Sequence, residues 1–236
     1  EKYFNVPEIH RLYNQTINFN FKVNDLKHDA NACIHTRFSD NGILEGYDIE
    51  IYIGLIDALI EYAQQCAIDT QLFHGVGTTH EMQERITNFL LYMWIHFVMF
   101  HEWGHAIYGH AKYRKAKSSN NDDSMIFLED LNLQKVMELE ADSKAATFLF
   151  QPFSLIWKYY SKYLYGDVCD DYVWTDFIVS IFYYLIFFLR IIEEQEFNST
   201  HPSPLIRVCA CLMFIAGELR DKPIIQDQLP KLNFKY

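Results

Sequence analysis

The segment from Phe89 to His105 constrains this chain more than any other. Phe89 to Phe100 is apolar almost all round, the pattern of a helix buried on most sides. Directly after it come His101-Glu102-Trp103-Gly104-His105. Residues four apart on a helix share a face, so two imidazoles stand side by side at the end of a buried axis. Two such imidazoles can bind one tetrahedral zinc, and Glu102, about 100° further round, falls beside the ion instead of on it. That position suits a carboxylate that takes a proton from water. The pentapeptide alone is short enough to arise by chance, so a third ligand with its own local logic is required.

Val136 to Ala146 supplies candidates. Glu138 and Asp142 form an i,i+4 pair on one helix face, whereas Glu140 lies opposite and reads as part of a solvated acidic face. One carboxylate can complete a site of two His and one Glu, with the fourth position left to water. Its neighbour one turn on can accept a hydrogen from the far nitrogen of a ligand His, fixing tautomer and ring orientation. The small residues Ala141, Ala145 and Ala146 predict close packing of this helix on the histidine helix.

The combined pattern His101-Glu102-x-x-His105 and Glu138-x-x-Ala141-Asp142 resembles the gluzincin zinc metallopeptidases. Thr200-His201-Pro202, with Arg207 six residues after the His, is similar to the signature of HtpX-type and CAAX-prenyl-type endopeptidases. The stretch from Glu138 to Pro152 also resembles the soluble ImmA/IrrE peptidases, which cut repressor proteins. A soluble peptidase with this pattern and an amino-terminal sheet is similar to the Lit-type phage-exclusion peptidases, which cut a translation factor. These likenesses run from Ile95 to Arg207. They imply one zinc ion held by His101, His105 and Glu138, with Glu102 as general base. They also imply that Asp142 supports a ligand histidine and that His201 and Arg207 lie near the site. His201 is then a candidate donor to the oxyanion that forms as water adds to a carbonyl. Arg207 is a candidate structural tether for Asp142 or another buried carboxylate. The expected activity is zinc-dependent hydrolysis of a protein or peptide substrate by a regulatory or phage-defence protease of narrow specificity, with or without an activating partner. The rival readings are a non-catalytic zinc-binding interaction module and a membrane-associated HtpX-like protease.

Composition sets the outer bounds. The 236 residues are half apolar and suffice for one domain with a full core. A formal net charge of −11 argues against a nucleic-acid partner. Five scattered cysteines, Cys33, Cys66, Cys169, Cys209 and Cys211, read as free thiols in a reducing compartment. The opening Glu1 to Asn5 has neither a basic start nor an apolar run, so the expected location is cytoplasmic. The lack of an initiator Met predicts residues upstream of Glu1.

The expected fold is mainly α (α+β): a single zincin-like domain over 1–236, with a small antiparallel sheet in 1–53 and a helical catalytic core in 54–236. Alternation predicts strands at Phe19–Val23, Cys33–Phe38 and Tyr47–Ile53, the last as an edge able to bind an extended peptide. Helices are expected over Gly54–Cys66, His80–Lys117 (one long or two abutting), Glu129–Phe150, Phe153–Tyr165, Tyr172–Glu196 and, following His201-Pro202-Ser203-Pro204, to about Arg220. Phe177 to Leu189 is apolar but too short for a span, which needs about 20 residues, and reads as a core helix. His96 and His110 read as core or surface residues. On an unbroken helix His110 would point about 180° away from His101.

Overall fold

A computed structural model of the protein describes residues 18–68, 79–118, 131–149 and 201–221. It is mainly helical with a small sheet at the amino-terminal end. The strands are β1 (Asn18–Asn24), β2 (Ala32–Phe38) and β3 (Leu44–Tyr52). Among the described residues five helices follow: α1 (Ile53–Ile68), α2 (His80–Ile107), α3 (His110–Ser118), α4 (131–149) and α5 (Pro204–Asp221). The helices expected over 153–165 and 172–196, and the apolar run 177–189, lie outside the described residues.

The sheet is mixed, not wholly antiparallel. Its order is β1-β3-β2, with β2 antiparallel and β1 parallel to β3. Strand β3 is therefore central and paired on both sides, so Tyr47–Tyr52 is not the edge that the sequence suggested. Alternation along a strand tells which face a residue takes, but it does not tell which strand pairs with which. One face is apolar: Tyr47, Ile49 and Ile51 are buried, with Phe19 stacked on Tyr47 at a 5.5 Å ring separation. The opposite face carries Cys33, His35, Glu50 and Lys22.

Helix α2 is the axis of the domain. Its start is capped by Thr79, whose side-chain oxygen accepts the Met82 N–H at 3.3 Å. Buried Phe89, Leu90, Met93 and Trp94 meet the buried stripe Leu55, Leu59 and Ala63 of α1, and Tyr62 stacks on Trp94. Further along, Trp103 sits between Phe19 of the sheet and Phe148 of α4, with ring separations of 5.6 and 4.6 Å. Burying an aromatic side chain of this kind contributes about 3 kcal/mol. The helix end that carries the histidines is thereby clamped on both sides.

Gly109 ends the axis. Its φ of 77° lies in the left-handed region that favours glycine, and its N–H reaches back to the Ala106 carbonyl. The chain turns there and starts α3 at once, so the expected His80–Lys117 segment is two helices with a sharp joint.

Candidate active site

His101 and His105 leave the same face of α2, and Glu138 of α4 reaches them. His101 Nε2 lies 3.1 Å from Glu138 Oε2 and 3.2 Å from His105 Nε2, and His105 Nε2 lies 3.4 Å from the same Glu138 oxygen. Four ligands arranged tetrahedrally about an ion at about 2.0–2.1 Å are separated by about 3.3–3.4 Å. The three atoms thus stand at the spacing that one small divalent ion imposes. Two imidazoles and one carboxylate form a donor set that suits zinc. All three residues are buried.

Close approach of α2 and α4 makes this possible. A Cβ on Gly104 would meet the Ala141 Cα at 2.9 Å and its carbonyl oxygen at 3.1 Å. Ala141, Ala145 and Ala146 are fully buried, as their size predicted.

Each residue of the triangle is held from behind. Asp142 Oδ1 pairs with His101 Nδ1 at 2.9 Å, and Arg207 of α5 grips Asp142 with Nε at 2.6 Å and Nη2 at 2.8 Å. The expected tether between Arg207 and Asp142 is therefore present. Arg114 Nη2 donates to Glu138 Oε1 at 2.6 Å, leaving Oε2 to face the histidines. His105 Nδ1 lies 2.9 Å from His110 Nδ1, and His110 Nε2 lies 3.0 Å from Glu140 Oε2.

Glu140 is exposed and His110 is buried, as their readings allowed, but the direction of His110 counted along an unbroken helix is corrected. The joint at Gly109 swings His110 back to the rear of His105, where it is buried, and Glu140 is its partner despite being exposed. Neither this pair nor Arg114 emerged from the sequence. The available signal was Gly109 itself, since a left-handed glycine ends a helix and voids any angle counted across it. His96 instead turns to the Tyr92 carbonyl on its own helix, at 2.6 Å, and stays outside the cluster.

A cavity of about 530 Å³ opens on the cluster, lined among others by His101, Glu102, His105, Glu138 and His201. Its wall includes Ala32, Cys33 and Ile34, so β2 is the strand beside the site. His201 Nε2 lies 3.2 Å from Glu138 Oε2. All seven residues singled out in the sequence (His101, Glu102, His105, Glu138, Asp142, His201 and Arg207) converge on this cavity or directly behind it.

The charges favour a cation at the centre. Burial alone would depress His101, but Asp142 and Glu138 outweigh it and hold the imidazole up at about 10. Burial takes His105 down to about 4, only partly offset by Glu138. Burial also opposes ionisation of Glu138, yet its bonds to His101, His105 and His201 hold it well below the usual carboxylate range. Glu102 is pushed up by burial from the ordinary carboxylate range.

No described helix is long and apolar enough to cross a membrane. No curated protein and no solved structure matches the chain. The Peptidase U49 family model matches residues 57–225, from α1 into and beyond α5. That stretch is well over half of the chain and contains every residue of the cluster, so the protein belongs to the Peptidase U49 family and is a protease acting on a protein substrate.

Proposed function

We propose that this peptidase is a zinc-dependent endopeptidase of the gluzincin type, with one ion held by His101, His105 and Glu138. The observation that carries the reading is the triangle of His101 Nε2, His105 Nε2 and Glu138 Oε2, with sides of 3.1, 3.2 and 3.4 Å. A bound zinc would supply acidification of water toward a pKa of about 7 and polarisation of the scissile carbonyl.

The chain's own residues do the rest. Glu102, buried and facing the cavity, accepts a proton from the attacking water at its carboxylate and passes it to the departing amine. His201 donates a hydrogen bond to the carbonyl oxygen as that oxygen gains charge. Asp142 fixes His101 through Nδ1, and His110 fixes His105 in the same way. The wall formed by β2 supports an extended substrate segment along the cavity. The reading is of a peptidase of narrow specificity with a regulatory or phage-defence role in the cytoplasm.

The test compares the proteomes of cells expressing the wild type and Glu102→Gln. A new protein terminus that depends on Glu102, together with one zinc per chain in both purified proteins, is the expected result. Equal cleavage by the two proteins, or cleavage by a wild type stripped of zinc, would sink the reading.

A further inference from the structure

The polar face of the sheet carries a second cluster that the peptidase chemistry does not use. Cys33 and His35 are two apart on β2, so their side chains leave the same face, and Glu50 is the direct partner of Cys33 on β3. Cys33 Sγ lies 3.2 Å from His35 Nε2 and 3.8 Å from Glu50 Oε2, and His35 Nε2 lies 4.0 Å from that oxygen. Three donor atoms of different chemistry, sulfur, imidazole nitrogen and carboxylate oxygen, therefore face one point. A tetrahedral zinc with sulfur at about 2.3 Å and nitrogen and oxygen at about 2.0–2.1 Å needs separations of about 3.3–3.6 Å. Each observed separation is within about 0.7 Å of that need, and the exposed His35 ring is free to close the difference.

Glu50 is oriented for such a role. Its Oε1 is taken by Asn24 at 3.0 Å and Lys22 at 3.1 Å, while Oε2, the oxygen turned to Cys33 and His35, is also reached by Lys27 at 3.4 Å. Lys22, then Asn24, hold this carboxyl ionised, at about 2. The two ion pairs are complete without Cys33 or His35, so charge pairing does not account for the thiol and imidazole. The Tyr52 hydroxyl, 3.5 Å from Cys33 Sγ, closes the group.

The geometry points to a second, thiolate-containing zinc site made by Cys33, His35 and Glu50, distinct from the histidine–carboxylate centre. The mixed sulfur, nitrogen and oxygen donors select a borderline-soft ion such as zinc over magnesium or calcium. Exposure of His35 and the nearby ammonium groups of Lys22 and Lys27 make it the weaker of the two, filled at higher free zinc. Cys33 also lines the cavity that holds Glu102, so an ion here sits at the rim of the active site. Loading exchanges the Cys33 S–H bond for a sulfur–metal bond and releases the proton to solvent, so affinity rises with pH.

Cobalt(II) titration of the metal-stripped protein tests this independently of the first site, which has no sulfur donor. A sulfur-to-cobalt charge-transfer band in the near ultraviolet should grow with the second equivalent. It should vanish in Cys33→Ser, which then binds a single equivalent. In His35→Ala, a surface change that spares the fold, the second equivalent should bind about tenfold more weakly or worse. Glu138→Gln should lose the other equivalent and keep the band. A wild type without the band overturns the proposal, and so does a band that persists in Cys33→Ser, which would assign it to another cysteine.

Discussion

Arg207 grips Asp142 with two nitrogens, at 2.6 and 2.8 Å, and Asp142 passes that fixation to His101 at 2.9 Å. All three groups are buried, so the α5 residue sets the orientation of an imidazole on α2. Arg207→Met should leave the Asp142 charge with too few partners and cost about 3–5 kcal/mol in urea unfolding at neutral pH. Added zinc should bind about 10–100-fold more weakly, because the carboxylate that orients His101 through Nδ1 is loosened.

Acid gives a second view of the same pair. Burial would raise Asp142, but Arg207 dominates and the carboxyl is held at about 2 against its ordinary 3.8. A depressed carboxylate stabilises the fold above its unfolded value. This contribution, about 2 kcal/mol, is complete above about pH 4 and is lost as pH falls toward about 2. Urea midpoints of wild type and Arg207→Met should therefore converge over that window. A gap that stays constant from neutral pH to pH 2 would show that Asp142 is not the group involved.

Glu102→Gln separates chemistry from stability. Burial raises the Glu102 pKa, so the folded state resists its ionisation. A raised carboxyl contributes stability that is present below its unfolded value and is lost as pH rises through the folded one. The neutral glutamine should therefore abolish peptide cleavage, retain zinc, and raise the thermal midpoint of the zinc-free protein at neutral pH. For the wild type, the acid limb of the rate profile should lie above the range of an ordinary carboxylate. A limb near 4 would place the essential base elsewhere.

The difference between what the sequence disclosed and what it did not is physical. His101, His105 and Glu102 were legible because helix geometry is local and fixed. Glu138 and Asp142 were legible because i,i+4 carboxylates beside small residues have few other uses in a buried helix. The alternating strands were found in place, but their pairing was not, because register and neighbour order depend on contacts distant in sequence. His110 was missed because an angle summed along α2 and α3 ignores the joint at Gly109. Glu140 was missed because an exposed carboxylate looks like surface until its partner is placed. Arg114 lay among other basic residues at a helix end, where attraction to the helix dipole is explanation enough.

The His110–Glu140 pair makes a graded prediction. His110→Ala removes the group behind His105 Nδ1 and should lower zinc affinity about 10–100-fold, with loss of activity that added zinc restores. Glu140 is half exposed and acts only through His110, so Glu140→Gln should have a smaller effect in the same direction. Competition against a zinc-sensitive dye measures both. Equal affinities for wild type and His110→Ala would show that His105 needs no support from behind.

Gly104→Ala tests whether helix spacing sets the centre. The added methyl would come to 2.9 Å from the Ala141 Cα and 3.1 Å from its carbonyl oxygen. Both are backbone atoms, which cannot yield by a change of rotamer, so α4 must shift away from α2 or the helices must strain. Overpacking of this kind costs about 1–3 kcal/mol. A shift of α4 also carries Glu138 away from two histidines that remain on α2. Zinc affinity should therefore fall more than stability, and more than in an equally destabilising change remote from the site, such as Leu59→Ala in the buried face of α1. If Gly104→Ala and Leu59→Ala at matched stability bind zinc equally well, the α2–α4 separation does not control the ligand triangle.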